Sequence, residues 1–191
     1  LRNTMGEEED RAVNIDLGDF ILRKPNNSDA QGFIRICSDR DAMRYYGIAG
    51  SDITTPEDAQ EQIDWCNSQF EKNAGRWIIT KKESDEYIGD IGFFNFNAPS
   101  SEAEIGFRLM REYWNRGIVS KAVSELLKIG FRVLNYNRVE AFVDSRNEGS
   151  RRVLMKNGFV HEGRLRQSEF ENNEYIDIDV FSLLKREYTE T

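Results

Sequence analysis

Between Ala103 and Phe131 the apolar pattern changes period once, at a glycine. In AEIGFRLM (103–110) Ile105, Phe107 and Leu109 alternate with Glu104, Gly106 and Arg108, the period of two expected of a strand with one buried face. From Gly117 onward Val119, Ala122, Val123, Leu126, Leu127 and Phe131 recur every three or four positions, which is the period of a helix. The chain must therefore turn from strand into helix within EYWNRGIVSKA (112–122). The first turn of a helix leaves backbone N–H groups without intrahelical acceptors, and its dipole favours anions there. Gly117 puts no side chain in the way of a ligand, and Arg116 and Lys121 add positive charge. The corner suits a phosphate or pyrophosphate, although a helix capped behind an ordinary glycine turn gives the same pattern.

The flanking segments predict further elements. FILRK (20–24) reads as a first strand. Ser28, with Gln31 three residues later, predicts a capping box for a helix bearing Ala30, Phe33, Ile34 and Cys37 on one face. Thr55, Pro56, Glu57 and Asp58 predict the start of a second helix, with Ala59, Ile63, Cys66 and Phe70 facing inward. RWIITKK (76–82) and YIGDIGFFNF (87–96) predict strands joined by the turn ESDE, and RVEAFVD (138–144) predicts another. NEGSRRVLMKNGF (147–159) predicts a short helix ended by Gly158. FVHEGRLR, the turn Asn172-Asn173 and EYIDIDVFSLL predict a closing hairpin. The order β-α-α-β-β-β-α-β-α-β-β belongs to an α/β (α+β) domain, a mixed sheet with helices packed on it. Residues 1–18 read as a solvated tail and 19–191 as a single domain.

Composition narrows the function classes. The chain of 191 residues carries 26 basic and 34 acidic side chains, a net charge of −8, which disfavours nucleic acid as a partner and suits a cationic or amine partner. No apolar run reaches the length of a membrane span, and the charged N-terminus lacks the apolar core of a secretory signal. Cys37 and Cys66 lie outside any metal-ligand or CxxC spacing, so a reduced, cytoplasmic protein with no metal is expected. GxGxxG and GxxxxGK[ST] are both missing. The one histidine, His161, excludes HExxH and has no nucleophile arranged beside it.

AEIGFRLMREYWNRGIVSKAVSELLKIGF and NRVEAFVDSRNEGSRRVLMKNGFVHEGRLR, taken together and in order, resemble the GNAT superfamily of N-acyltransferases. Within it they are similar to the branch of ribosomal-protein-alanine N-acetyltransferases. The resemblance runs from about residue 19 to residue 188 and is most specific over 103–165. It implies a single-domain, mostly antiparallel central sheet with splayed strands and flanking helices. It implies acetyl-CoA as cosubstrate and an amine acceptor, either a protein N-terminus or a small molecule, with the protein a monomer or homodimer. By this resemblance the family's phosphate loop falls on Trp114 to Val119, and the N–H groups of Arg116, Gly117, Ile118, Val119 and Ser120 receive the pyrophosphate, with Lys121 beside them. Leu109 and Met110 pair with the pantetheine arm, an N–H near Leu109 polarises the thioester carbonyl, and Asn147 touches the arm from the other side. Trp114 replaces the general Arg or Gln but is usual in this branch, while Val119 where Gly or Ala is commoner implies a slightly wider loop. Leu154 occupies the position of a tyrosine general acid that many members carry, which excludes that acid here.

Transfer to an amine needs a base, because a free amine is mostly protonated at neutral pH. Glu104 is the candidate base, and a salt bridge to Arg108 is its structural alternative. Ser150 is the candidate donor to the departing thiolate, and Asn147 is equally natural as a helix N-cap. Trp65 to Trp77 and the loop from Arg44 to Thr54 are expected to form one acceptor wall. Tyr175, Asp177 and Asp179 are expected to form a second, acidic one. A non-catalytic acyl-CoA-binding module is the alternative function.

Overall fold

The computed structural model describes residues 14–46, 52–72, 74–171 and 173–189. Among them eight strands form one sheet: β1 (Ile15–Asp16), β2 (Phe20–Arg23), β3 (Gly75–Lys81), β4 (Tyr87–Asn97), β5 (Glu102–Leu109), β6 (Arg138–Asp144), β7 (Val160–Glu171) and β8 (Glu174–Leu184). Their spatial order is β1-β2-β3-β4-β5-β6-β8-β7. Every neighbouring pair is antiparallel except β5 and β6, which run parallel. Four α-helices accompany the sheet: α1 (Ala30–Ser38), α2 (Pro56–Gln69), α3 (Ile118–Lys128) and α4 (Glu148–Lys156). Parallel strands need a crossover, and α3 supplies it. The switch of period at Gly117 is thus the point where the chain leaves the sheet.

Helices on both faces explain why β3 and the first seven residues of β4 are buried almost throughout instead of alternating. On one face Phe33 of α1 packs against Tyr87, ring centres 5.2 Å apart. On the other, Gly130, just past α3, lies against Phe93 and Tyr136. Phe33, Trp77, Ile88, Phe93, Val123, Leu126 and Phe181 are fully buried. Phe131 continues the α3 stripe through a π-turn at Ile129–Val133 and packs on Tyr188. Cys66 is buried, which pushes its thiol up to about 11.

Several expectations are corrected locally. The capping residue at the first helix is Asn26, not Ser28. Its side chain accepts from Ser28 N–H, and Asp29, not Gln31, completes the box. A turn of 3₁₀ helix, Asn27–Asp29, intervenes before α1. Within α1 Ile36 is buried with Phe33, while Ala30, Ile34 and Cys37 are half-buried. Ile15 and Asp16, read from sequence as tail, pair with Leu22 and Ile21, and Leu17 is buried. Residues 1–13 of that tail and Asn172 of the hairpin turn lie outside the described residues. Thr55 caps α2 in a reciprocal box with Asp58, and Pro56 opens the helix, as the sequence predicts. Gly158, with φ +84°, ends α4.

Candidate active site

The parallel pairing of β5 with β6 lasts for three residue pairs, ending at Glu104 and Glu140. Beyond that point the strands diverge, and a cleft of about 1340 Å³ opens between Ile105–Leu109 and Ala141–Val143. The register of β4 fixes which backbone groups face it. Met110 N–H donates to Ile88 O at 2.9 Å, and Gly89 is the partner of Leu109. Alternation along an antiparallel pair then turns the N–H groups of Phe107 and Leu109 away from β4, toward the opening. Met110 does not reach the cleft. Its N–H is taken by Ile88, its carbonyl accepts from Tyr113 N–H at 3.0 Å, and its sulfur accepts from Arg35. Phe107 has the backbone orientation assigned to Leu109 alone, and register rather than composition reveals it.

The Leu109 carbonyl accepts from Trp114 Nε1 at 2.7 Å. Trp114 thereby ties the end of β5 to the loop before α3. Trp114→Phe removes this bond, a loss of about 1 kcal/mol. If the cleft takes acetyl-CoA, as the resemblance implies, its Michaelis constant is expected to rise roughly fivefold, with kcat little changed. Steady-state kinetics at saturating amine checks this.

Gly117 is the N-cap of α3, with φ +75°, and no side chain caps this helix end. A Cβ placed there meets no atom within 4 Å, so the residue opens onto space. Gly117, Ile118, Val119 and Ser120 line the cleft. Arg116 and Lys121 do not. The Arg116 guanidinium stacks on Tyr113 at 5.3 Å, and the Lys121 ammonium lies near Gly18 on the outer side. The cations that do line this end are Arg152 and Lys156. They stand four apart, on one face of α4, and Asn157 Nδ2 donates to Ser120 Oγ at 3.2 Å, joining the two helices. The i, i+4 spacing in SRRVLMK carried that signal.

Gly117→Val forces a β-branched residue into a left-handed conformation, at roughly 1–2 kcal/mol. In a chain of this size that is about 2–8 °C of melting temperature. Because the space is open, the cost is torsional, and the new side chain projects toward the helix end. The variant is expected to melt lower and, if acetyl-CoA is the ligand as the resemblance implies, to lose most of the stabilisation that acetyl-CoA would give the parent, read by thermal unfolding with and without the coenzyme.

Glu104 lines the cleft where the strands part. Its carboxylate accepts from Asn95 Nδ2 at 3.0 Å, and Arg108 is committed to Asp90 instead. Burial raises its pKa, and the carboxylates of Glu140 and Glu169 add to the rise against the Asn95 bond. Asn147 caps α4, its Oδ1 accepting from Ser150 N–H at 3.0 Å. Both residues line the cleft. Leu154 is buried. His161 Nε2 lies 3.3 Å from Asp179. Among the described residues no cluster of His, Cys, Asp or Glu is placed to hold a metal, and no helix is long and apolar enough to cross a membrane.

The segments named from sequence for one wall do meet at the cleft: Arg44, Tyr45 and Tyr46 from the loop, with Trp65 and Arg76. Residues 47–51 of that loop lie outside the described residues. The second, acidic wall does not form. Asp179 is buried beneath Arg164, which donates from Nε at 2.7 Å. Asp177 accepts from Gln167 N–H at 2.8 Å, and neither they nor Tyr175 lines the cleft. Below the first wall is a cluster that periodicity concealed. Asp90, fully buried, accepts from Nε of Arg76 and of Arg108, each at 2.8 Å. Tyr87 donates to the same carboxylate, and Arg76 also donates to Tyr46 Oη.

Residues 19–160 match the family model described as an acetyltransferase (GNAT) domain. An uncharacterized N-acetyltransferase of Bacillus licheniformis is 39% identical over 170 residues, which is 88% of this chain and 94% of that one. The ribosomal-protein-serine acetyltransferase of Escherichia coli is 29% identical over 132 residues, 68% of this chain and 72% of that one. The structure of a Vibrio cholerae spermidine N-acetyltransferase in complex with CoA and spermine shares the fold, with a TM-score of 0.77 at 19% identity over 89% of this chain and 98% of that one. With its splayed parallel pair and uncapped glycine corner, the chain belongs to the GNAT family of acetyltransferases and is an N-acetyltransferase.

Proposed function

We propose that the protein moves an acetyl group from acetyl-CoA to a primary amine by direct attack of the amine on the thioester. The observation that carries this reading is the pair of outward N–H groups, Phe107 and Leu109, on a strand that parts from its neighbour beside an open, uncapped helix end. The chain's own groups fit the cosubstrate. The N–H groups at the start of α3, with Arg152 and Lys156 of α4, suit the pyrophosphate. The free edge of β5 suits the amides of the pantetheine arm, and Asn147 stands across the cleft from it. The relative named for ribosomal-protein acetylation and the neighbour holding CoA and spermine support the same chemistry.

In this reading the N–H of Phe107 or Leu109 holds the carbonyl oxygen as negative charge develops on it. Glu104, its pKa raised by burial, takes a proton from the amine directly or through a water. Ser150 donates a hydrogen bond to the departing sulfur, and the second proton lost by the attacking amine leaves with that sulfur as the thiol. Thermal unfolding with acetyl-CoA, and with ATP and NAD as controls, tests the coenzyme. At about 100 times its dissociation constant a ligand adds about 2.7 kcal/mol, roughly 5–10 °C here. A shift with acetyl-CoA alone, followed by amine-dependent thiol release, supports the reading. No shift at millimolar acetyl-CoA sinks it.

A further inference from the structure

Strand β4 is not regular to its end. Phe94 is the cross-strand partner of Glu104 and Asn97 that of Glu102, so Asn95 and Phe96 stand against Ala103 alone. This is a β-bulge, with Asn95 in the left-handed region at φ +52°. In an unbroken strand successive side chains alternate between the two faces. Phe93 and Phe96, three positions apart, would then point to opposite faces. Both instead pack on Tyr136, with ring centres 5.1 and 5.6 Å away. Phe94 lies over Gly106, on the cleft face. The bulge turns Asn95 to that same face, and its Nδ2 donates to Glu104 Oε2 at 3.0 Å. A regular strand would have sent this amide to the opposite face.

We propose that Asn95 is a positioning residue for acetyl transfer: the bulge delivers its amide to one oxygen of Glu104 and so turns the other toward the acceptor amine. The proposal rests on the acetyl-transfer reading above, with Glu104 as the base. The amide holds Oε2, and no described residue donates to Oε1. The carboxylate needs such a tether, because its surroundings share its sign. Glu140 is its partner across the parallel ladder, and Glu169 of β7 is near enough to act on it. Arg138 donates to Glu140 from Nε and Nη2, each at 3.2 Å. Arg108 is bridged to Asp90, and Glu102 accepts from Asn97 Nδ2 at 3.0 Å. Among the described residues the Asn95 amide is therefore the donor that reaches Glu104. A hydrogen bond to the charged form favours that form. The amide thus aims the base and also opposes the rise that burial and the two carboxylates cause. The left-handed conformation is strained for most side chains, with asparagine and glycine the exceptions. Glycine at this position removes the amide and keeps the backbone.

The test compares Asn95→Gly and Asn95→Asp with the parent, using spermidine and a peptide with an N-terminal alanine as acceptors at saturating acetyl-CoA. Asn95→Gly is expected to lower the plateau kcat roughly tenfold, the low end for a hydrogen bond to a charged group. It should also move the acidic limb of the kcat profile to higher pH, with KM for acetyl-CoA unchanged. Asn95→Asp sets a like charge where the donor was and should move the limb further in the same direction. Both variants should stay folded, because Phe93, Phe96 and Tyr136 hold the bulge without the amide. A merely structural Asn95 would lower the melting temperature and leave the limb in place. A plateau within twofold of the parent, or a limb that stays put in both variants, overturns the proposal. An equal loss when Asn95→Gly is added to Glu104→Gln also overturns it, since the amide would then act elsewhere. Full activity in Glu104→Gln alone is a different result and overturns the base reading beneath. If neither amine is turned over, the Glu104 carboxyl signal of ¹³C-labelled protein, assigned with Glu104→Gln, is titrated directly. An upward move in Asn95→Gly supports the proposal, and an unmoved titration overturns it. Failure to bind acetyl-CoA at all overturns the acetyl-transfer reading instead.

Discussion

Replacing Glu104 with glutamine is expected to lower kcat by about 10²–10⁴, the contribution typical of a positioned base. The KM for acetyl-CoA should stay nearly unchanged. Glutamine keeps the oxygen that accepts from Asn95, so the geometry of the strand end is preserved. The pH dependence sharpens the test. A base acts when deprotonated, and burial, reinforced by Glu140 and Glu169, raises the Glu104 pKa above the usual carboxylate value. The acidic limb of the rate profile should therefore lie above that of an ordinary carboxylate and disappear in the variant. Stability should move the other way. A group whose pKa is raised on folding binds more protons folded than unfolded, so its effect on stability worsens as pH climbs from the ordinary value through the folded one. At neutral pH Glu104→Gln removes that penalty and should be neutral or stabilising. An inactive variant that also melts earlier would point to damage rather than to a lost base.

Asp90→Asn is expected to produce the largest loss of stability of any substitution considered. It leaves two buried guanidinium groups without their shared carboxylate, and breaking a buried pair costs about 3–5 kcal/mol. In a chain of this length that is about 6–20 °C, measured by calorimetry near neutral pH. Burial alone would raise the Asp90 pKa, but Arg108 and then Arg76 outweigh it and hold the carboxyl below its usual range. A depressed folded pKa gives stability that is fully present above the ordinary carboxylate value and lost as pH falls through the folded one. The gap between parent and variant should accordingly narrow in acid. A variant within about 1 °C of the parent at neutral pH would remove the network from the account of stability.

What the sequence made legible follows from where each signal is stored. The crossover helix is written in local periodicity, and so are the caps at Thr55 and Asn147. The cap at Asn26 was displaced from Ser28 because a 3₁₀ turn, which needs no apolar stripe, sits between cap and helix. Arg108 reads as the solvent-facing member of an alternating strand. It is buried because α1 covers that face, and because Asp90 is its direct cross-strand partner. Arg76 lies one further strand away. Nothing in the spacing of these three residues announces their meeting, since it depends on register between strands. The side chains of Arg116 and Lys121 illustrate a related point. Proximity in sequence put them at the corner, but the Arg116 guanidinium stacks on Tyr113 and the Lys121 ammonium lies near Gly18, and the side-chain cations that line that end come from α4.

The short pairing of β5 with β6 has a wider meaning. Three residue pairs hold together a sheet whose remaining neighbours on either side are joined along much greater lengths. The molecule is in effect two half-sheets meeting at a seam that is left unfinished beyond Glu104. On the proposed reading the cosubstrate arm supplies the missing backbone partner, a strand made of something other than peptide. Saturation with cosubstrate would then extend backbone pairing across the seam, beyond what the shared hydrophobic core of the two halves already holds together. On that reading the free concentration of acetyl-CoA would set how much of the population has the seam closed.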